Sequence, residues 1–317
     1  MGELFHRARR AGPARARRAP HAPSATRTVT VGELIARAAR ALARARVHFG
    51  HGTDNARDEA AALVLHAIGA RDGGGADLLR RRVHPRAQAR AAELLRRRIE
   101  ERVPAAYLTG VTWFAGLEIR VDARVLVPRS PIAELIERRF APWIDARRVR
   151  RVLDLGTGSG CIAIACARAL PHARVDAVDI SEAALEVARA NVRSHRLGGR
   201  VLLKKSDHFR ALGRATYDII VSNPPYVGAR ELERLPPEYR HEPRVALAAG
   251  EAGLDSVRII LEQARRHLRP RGVLIVEVGN TESAVRRAFP RLPCVWLEFE
   301  RGGGGVFLLS REQLQGP

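Results

Sequence analysis

The sequence predicts an α/β chain with a doubly wound, mostly parallel sheet and an antiparallel C-terminal hairpin, preceded by a small helical domain. Three observations carry that reading. From Arg151 onward, short apolar runs alternate with helix-period segments, the order that builds parallel β-α-β units. Between Thr30 and Thr109 the apolar residues recur at helical spacing instead. At the end of the chain two strand-like runs, Val295–Glu300 and Val306–Leu309, flank Gly302–Gly305, which reads as a terminal hairpin adding an antiparallel strand.

Residues 1–27 carry Arg7, Arg9, Arg10, Arg15, Arg17, Arg18 and Arg27 among Pro13, Pro20 and Pro23, with Glu3 alone opposing them. Such a composition cannot bury a core and reads as a disordered basic extension. It suits an arm that touches nucleic acid, or a mitochondrial transit peptide, although serine is nearly absent. Residues 28–110 read as a helical, substrate-recognition domain. Thr30 and Glu33 form a capping-box pair ahead of Leu34, Ile35, Ala38 and Leu42. A second helix follows Gly50–Asn55 and carries Ala60, Leu63, Val64 and Ile68. Gly73–Gly75 reads as a break, and a third helix runs through Leu94, Leu95 and Ile99 to Pro104.

Residues 111–317 then form the α/β domain. Trp113–Val121 predicts a hairpin turning at Gly116. Val125–Pro131 leads into a helix that Ser130 is placed to cap, with Pro131 in the first helical position. Strands are expected at Val152–Leu155, Arg174–Asp179, Val201–Lys204, Ile219–Asn223 and Val273–Val278, and helices at Cys161–Leu170, Glu182–Ser194 and Leu254–Leu268.

The chain has 317 residues and a formal net charge of +21. The cations are almost all arginine, Lys204 and Lys205 being the only lysines. The excess fits either a polyanionic neighbour such as RNA or a solvated surface. No apolar run nears the ~20 residues that span a bilayer. Cys161, Cys166 and Cys294 form no C-x-x-C pair, which points to small core thiols in a reducing cytoplasm, not to a disulfide framework or zinc. His48 and His51 have no third ligand nearby in the sequence, so no metal is expected.

Two segments carry chemistry. Asp154-Leu155-Gly156-Thr157-Gly158-Ser159-Gly160 lies between a strand and a helix. Glycines there permit a sharp turn and close backbone approach to a ligand, and the helix start offers free N–H groups. A dinucleotide fingerprint would want glycine at position 161 and meets Cys161. Asp179 ends the next strand, where a carboxylate can accept both hydroxyls of a ribose; the other role open to it is to cap the following helix. Asp207 and His208 follow the third strand, as adenine neighbours or as a plain turn. Asn223-Pro224-Pro225-Tyr226 ends the fourth strand. The Asn223 carboxamide and the Pro224 carbonyl can both accept hydrogen bonds from a planar –NH2, and Tyr226 can pack on the flat group. An amide nitrogen is a poor nucleophile, so holding it ~3–3.5 Å from an activated methyl supplies much of what the transfer needs. No strong general base is evident in the sequence near this segment.

The glycine spacing resembles the first motif of the class I S-adenosylmethionine-dependent methyltransferases. With the Asn-Pro-Pro-Tyr segment added, residues 30–312 resemble the protein-glutamine N5-methyltransferases. Pro128-Arg129-Ser130-Pro131-Ile132-Ala133-Glu134 stands where the release-factor enzymes of that family read Pro-Arg-Pro-Asp-Thr-Glu. That segment, His51–Asn55, Tyr239–Pro243 and Trp296–Phe299 are similar to the subfamily that acts on large-subunit ribosomal protein L-three. The resemblance implies a class I methyltransferase fold, S-adenosyl-L-methionine as cofactor and ribosomal protein L-three as partner, either free or on assembling ribosomal RNA. It implies cofactor contacts at Gly156, Gly158, Gly160 and Asp179, and glutamine contacts at Asn223, Pro224 and Tyr226. Asp154, Thr157, Asp207, His208 and Asn223 complete the expected cofactor set, and Pro225 the catalytic one. His208 departs from the larger apolar or aromatic residue of relatives. Two other functions suit parts of this pattern. One is an amino-methyltransferase acting on adenine, for which no target-recognition domain is visible. The other is a non-enzymatic RNA-binding assembly factor, which would not need an intact glycine loop.

Overall fold

A computed structural model describes residues 29–70 and 75–314. Its helical part is α1 (Val31–Arg44), α2 (Ala56–Ala67), α3 (Gly75–Arg80), α4 (Pro85–Glu100) and α5 (Ala105–Thr109). Thr30 and Glu33 form the expected capping box, at 3.2 and 2.9 Å. Asn55 caps α2 through the N–H groups of Arg57 and Asp58. Val31, Ile35, Ala38 and Leu42 of α1 meet Leu63 and Val64 of α2 and Leu94 of α4 in a core of their own. The Arg-rich segment 1–27 lies outside the described residues, as do Gly73 and Gly74. Gly75 itself begins α3, so the break read there ends one residue sooner.

The hairpin is β1 (Val111–Phe114) and β2 (Leu117–Arg120), with Phe114 paired to Leu117. Ala115 and Gly116 both adopt positive φ, at 47° and 72°, the two-residue turn whose twist suits a hairpin. Then follow α6 (Ile132–Glu137), β3 (Arg151–Leu155), α7 (Cys161–Ala169), β4 (Arg174–Asp179), α8 (Glu182–Ser194), β5 (Val201–Lys205), β6 (Tyr217–Ser222), α9 (Ala229–Leu232), α10 (Asp255–His267), β7 (Leu268–Glu277), α11 (Glu282–Ala288), β8 (Val295–Leu297) and β9 (Val306–Ser310). One expectation shifts: α6 starts at Ile132, one residue later than read, with Pro131 before it at φ −65° and ψ −13° and without a side-chain cap of its own. The Ser130 hydroxyl still accepts the Ile132 N–H at 3.1 Å.

The seven-stranded sheet has the order β5-β4-β3-β6-β7-β9-β8. Its first five strands run parallel, and β9 pairs antiparallel with both β7 and β8. Alternate strand residues feed two cores. Val152, Ile219, Val221 and Ile275 face α6, α7 and α8. Leu153, Leu155, Ile220 and Leu274 face α10 and α11. Covering both faces explains why these strands read as near-continuous apolar runs. Cys161 and Cys166 are buried on α7, as small core residues. Among the described residues no helix is long and apolar enough to cross a membrane.

The helical part is joined to the α/β part by buried ions. Arg98, fully buried, donates to Glu59 (2.7 Å), to the His48 carbonyl (2.6 Å) and to Glu238 (3.1 Å). Glu238 belongs to the short helical turn Pro237–His241, which follows the Asn223 segment in the chain.

Candidate active site

Strand order reverses at β3, whose neighbours are β4 on one side and β6 on the other. Open α/β sheets form a crevice at such a switch point, beyond the carboxyl ends of the strands. Leu155 pairs with Val178 of β4 and with Ser222 of β6. That register sets the glycine loop, the tip of β4 and the Asn223 segment side by side. The Ser222 hydroxyl donates to the Leu155 carbonyl at 2.8 Å and locks two of the three together.

The glycine loop is tied down from below. Gly156 and Thr157 both donate to the Val178 carbonyl, at 2.9 Å. Asp154 is fully buried and accepts the Thr157 hydroxyl (2.6 Å) and the Ala163 N–H (3.1 Å), so it braces the loop against the start of α7. Burial pushes its carboxyl up to about 7, against the pull of those two donors. Gly156, Gly158 and Gly160 all have positive φ, at 72°, 53° and 82°. A Cβ on Gly158 would meet nothing within 4 Å, so the upper face of the loop is open to a ligand.

Asp179 receives the Gly158 N–H on Oδ2 (2.8 Å) and the Ser181 N–H on Oδ1 (2.9 Å). Burial raises its carboxyl, and the backbone N–H groups oppose the shift. Each oxygen keeps a lone pair for a further donor. Ser181, not Asp179, caps α8 through the Ala184 N–H. Ile180 beside it is an apolar side chain left 52% exposed. Asp207 accepts from His208 at 2.8 Å and pairs with Arg210 at 3.0 Å; His208 has a positive φ of 47°.

A cavity of about 270 Å³ connects these parts. It is lined by Gly156, Thr157, Gly158, Asp179, Ile180, Asp207, His208, Asn223, Pro224 and Pro225, and also by Arg129, Ser130 and Val245. Three expected residues are not part of its lining: Asp154 lies under the loop, Gly160 precedes α7, and Tyr226 packs against Gly279. The Tyr226 carbonyl accepts the Thr281 hydroxyl at 2.6 Å, and its ring lies on Gly279, where a Cβ would come within 2.8 Å. The Asn223 carboxamide has no hydrogen-bond partner among the described residues. His48 and His51 sit 6.1 Å apart between the helical part and the 237–242 turn, with His51 4.6 Å from the Tyr239 ring.

The structure adds groups that sequence reasoning missed. Arg129 grips Glu242 through two bonds, at 2.6 and 2.7 Å, and lies over the Tyr239 ring. Burial alone would raise the Glu242 carboxyl, but Arg129 and His51 hold it down at about 2. Glu277 ends β7, buried, and receives the Ser130 hydroxyl. Its burial outweighs Ser130, Arg129 and Tyr226 and pushes it up to about 7. The signal for Glu277 was a lone carboxylate between Val276 and Val278 in an otherwise apolar strand. The signal for Ile180 was an apolar residue directly after the strand-end Asp179.

The site fits S-adenosylmethionine. A carboxylate with lone pairs able to accept two hydroxyls stands at the tip of β4, an exposed apolar face at Ile180 lies beside it, and the glycine loop has room above it. A family model described as "Methyltransferase small domain" matches residues 138–235. The chain is 49% identical to the ribosomal protein uL3 glutamine methyltransferase of Bordetella pertussis over 286 residues, covering 90% of this chain and 96% of that one. It is 45% identical to the protein of that name from Neisseria meningitidis serogroup B, over 92% of this chain and 97% of that one. For the Xanthomonas campestris protein the identity is 47%, over 90% and 92%.

Proposed function

This chain belongs to the ribosomal protein uL3 glutamine methyltransferases, and from that premise we propose that it transfers a methyl group to the side-chain amide nitrogen of a glutamine in ribosomal protein uL3. The observation that carries the reading is the pairing of Leu155 with Ser222, which brings a cofactor loop and an amide-binding segment to one cavity. S-adenosylmethionine, when bound, supplies a methyl group activated on a sulfonium.

The chain's own residues do the rest. Asp179 takes the ribose hydroxyls, Ile180 and His208 flank the adenine, and Gly156, Thr157 and Gly158 give the backbone surface between them. Asp154 and Gly160 act from behind, by fixing the loop. Asn223 and the Pro224 carbonyl accept the two N–H bonds of the glutamine amide, which fixes its plane and draws electron density onto nitrogen. Pro224 and Pro225 keep this stretch out of a helix, so the carbonyl stays free. Tyr226 is held from both sides by Thr281 and Gly279 and sets the position of Pro225.

Residues 28–110 form the substrate-recognition domain in this reading. Its support is the Arg98–Glu238 junction, which leads from the helices to the 237–242 turn and on to Pro243 and Val245 at the cavity. The net charge of +21 supports a uL3 already seated on ribosomal RNA in the cytoplasm, since two basic proteins repel. Incubation with methyl-labelled cofactor and either uL3 or nucleic acid tests the reading: label should survive nuclease and be lost to protease. Run with rising salt, the same assay should lose activity faster on RNA-bound than on free uL3, because phosphate contacts release counterions; equal salt dependence would remove the RNA component.

A further inference from the structure

Methyl transfer to an amide leaves a proton to dispose of. The amide nitrogen forms its bond to the methyl carbon as the carbon–sulfur bond breaks, the electron pair returning to sulfur, and the nitrogen is left with one proton too many. An amide protonated on nitrogen is a strong acid, so a weak acceptor suffices if it stands within reach. The carboxylates around the cavity are mostly committed elsewhere. Asp179 is bound to Gly158 and Ser181 at the ribose end, Asp154 lies beneath the loop, and Glu242 is held by Arg129 in a two-bond pair.

Glu277 is placed differently. Val276 pairs with Ser222, so Glu277 stands level with the start of the Asn223 segment. Its carboxylate receives the hydroxyl of Ser130, and Ser130 lines the same cavity as Asn223 and Pro224. The Ser130 oxygen also accepts the Ile132 N–H, which fixes the side chain and leaves one lone pair. Glu277 is only 4% exposed, yet on its other side it borders a second cleft, open to solvent, with Asn280, Gly303 and Gly304. A hydroxyl in the reaction cavity, a carboxylate behind it and water beyond therefore lie in sequence.

We propose that Ser130 and Glu277 form the proton exit of the methyl transfer. This rests on the glutamine-methyltransferase reading above. As methylation turns the nitrogen tetrahedral, one N–H leaves its first acceptor, and the Ser130 oxygen takes that proton while its own passes to Glu277, which releases it to the water of the second cleft. Proton count balances: nitrogen loses one, Ser130 keeps one, and one reaches solvent. Ser130 is the group that touches substrate; Glu277 acts through it. The charged and titratable groups around Glu277 are Arg129 on the cavity wall, Tyr226, whose hydroxyl donates toward the Glu277 carboxylate, and Glu282 of α11 across the cleft. The raised affinity of Glu277 for a proton matches an acceptor that loads and unloads near neutral pH.

The test compares wild type with Glu277→Gln, Glu277→Asp and Ser130→Ala, using uL3 as substrate. In wild type kcat should rise with pH through the Glu277 midpoint and then level, because the carboxylate is the accepting form. Glu277→Gln should lower kcat at least tenfold and abolish that limb, with cofactor affinity unchanged by calorimetry, and Glu277→Asp should restore part of both. Independently of turnover, carbon-13 NMR of the cofactor-free protein should show a carboxyl resonance, missing in Glu277→Gln, whose midpoint moves up in Ser130→Ala as its donor is lost. If Glu277→Gln fails to fold, Ser130→Ala decides through the same rate and titration. An active wild type with rate and pH limb unchanged in the variants overturns the proton exit alone. A wild type inert toward uL3 overturns the reading beneath it.

Discussion

Asp179 Oδ2 accepts the N–H of Gly158 at 2.8 Å, so the tip of β4 and the glycine loop form one hydrogen-bonded unit. Asp179→Ala removes that bond together with the ribose bonds assigned to the same carboxylate. A charge-assisted hydrogen bond contributes roughly 1.5–3 kcal/mol, so two of them correspond to a hundredfold or greater loss of S-adenosylmethionine affinity. Calorimetry measures it directly, and an unchanged affinity would end the assignment.

Asn223→Ala should abolish turnover and leave cofactor affinity close to that of wild type. The free Asn223 carboxamide is assigned to the acceptor amide, and its backbone, held after β6, still borders the cavity in the variant. Steady-state rates alongside calorimetry separate the two effects. A variant that keeps a large share of the wild-type rate would show that orientation by Asn223 is not how the amide is activated.

Asp154 makes a prediction about stability. Burial raises its carboxyl in the folded protein from 3.8 to about 7, so the fold binds a proton there more tightly than the unfolded chain does. The contribution of this group is therefore fully present below pH ~4 and is lost as pH rises to ~7, up to roughly 4 kcal/mol by linkage. Asp154→Asn keeps an acceptor for Thr157 and Ala163 and carries no charge to bury. In cofactor-free protein its melting temperature should gain on wild type as pH rises from 4 to 8. Parallel melting curves across that range would contradict the account.

Arg98→Ala should cost about 3–5 kcal/mol, because it leaves the buried carboxylates of Glu59 and Glu238 facing one another without their shared cation. Denaturant unfolding checks the magnitude. A loss below about 1 kcal/mol would mean that water or Arg102, whose guanidinium stands 3.5 Å from Glu238, takes over the role, and the junction would no longer serve as the link between the helices and the 237–242 turn.

Much of this molecule was legible in its sequence, and the exceptions have physical causes. The strands at Ile219–Asn223 and Val273–Val278 stood out because parallel strands covered on both faces read as apolar runs, Arg174–Asp179 because Val175, Ala177 and Val178 break a charged stretch between two helix-period segments, and α8 emerged with the residues expected. The short elements α3, α5, α9 and α11 did not, since a helix of one or two turns has too few residues to show a period. The glycine loop and the Asn223 segment were visible because local backbone demands select glycine and proline there. Glu277 was not singled out, and Arg129 and Glu242 stood only within the subfamily segments without a role, because each acts through residues far away in the chain: Ser130 to Glu277 spans 147 positions and Arg129 to Glu242 spans 113. Tyr226 taught the converse. Its motif was evident, but only the fold shows that it packs on Gly279.

The most direct measurement is mass spectrometry of uL3 after incubation with the purified protein and S-adenosylmethionine, with a release factor treated in parallel. The account predicts a gain of one methylene on a single glutamine side chain of uL3, absent with Asn223→Ala, and little or no modification of the release factor. A methylated release factor beside unmodified uL3 would contradict it.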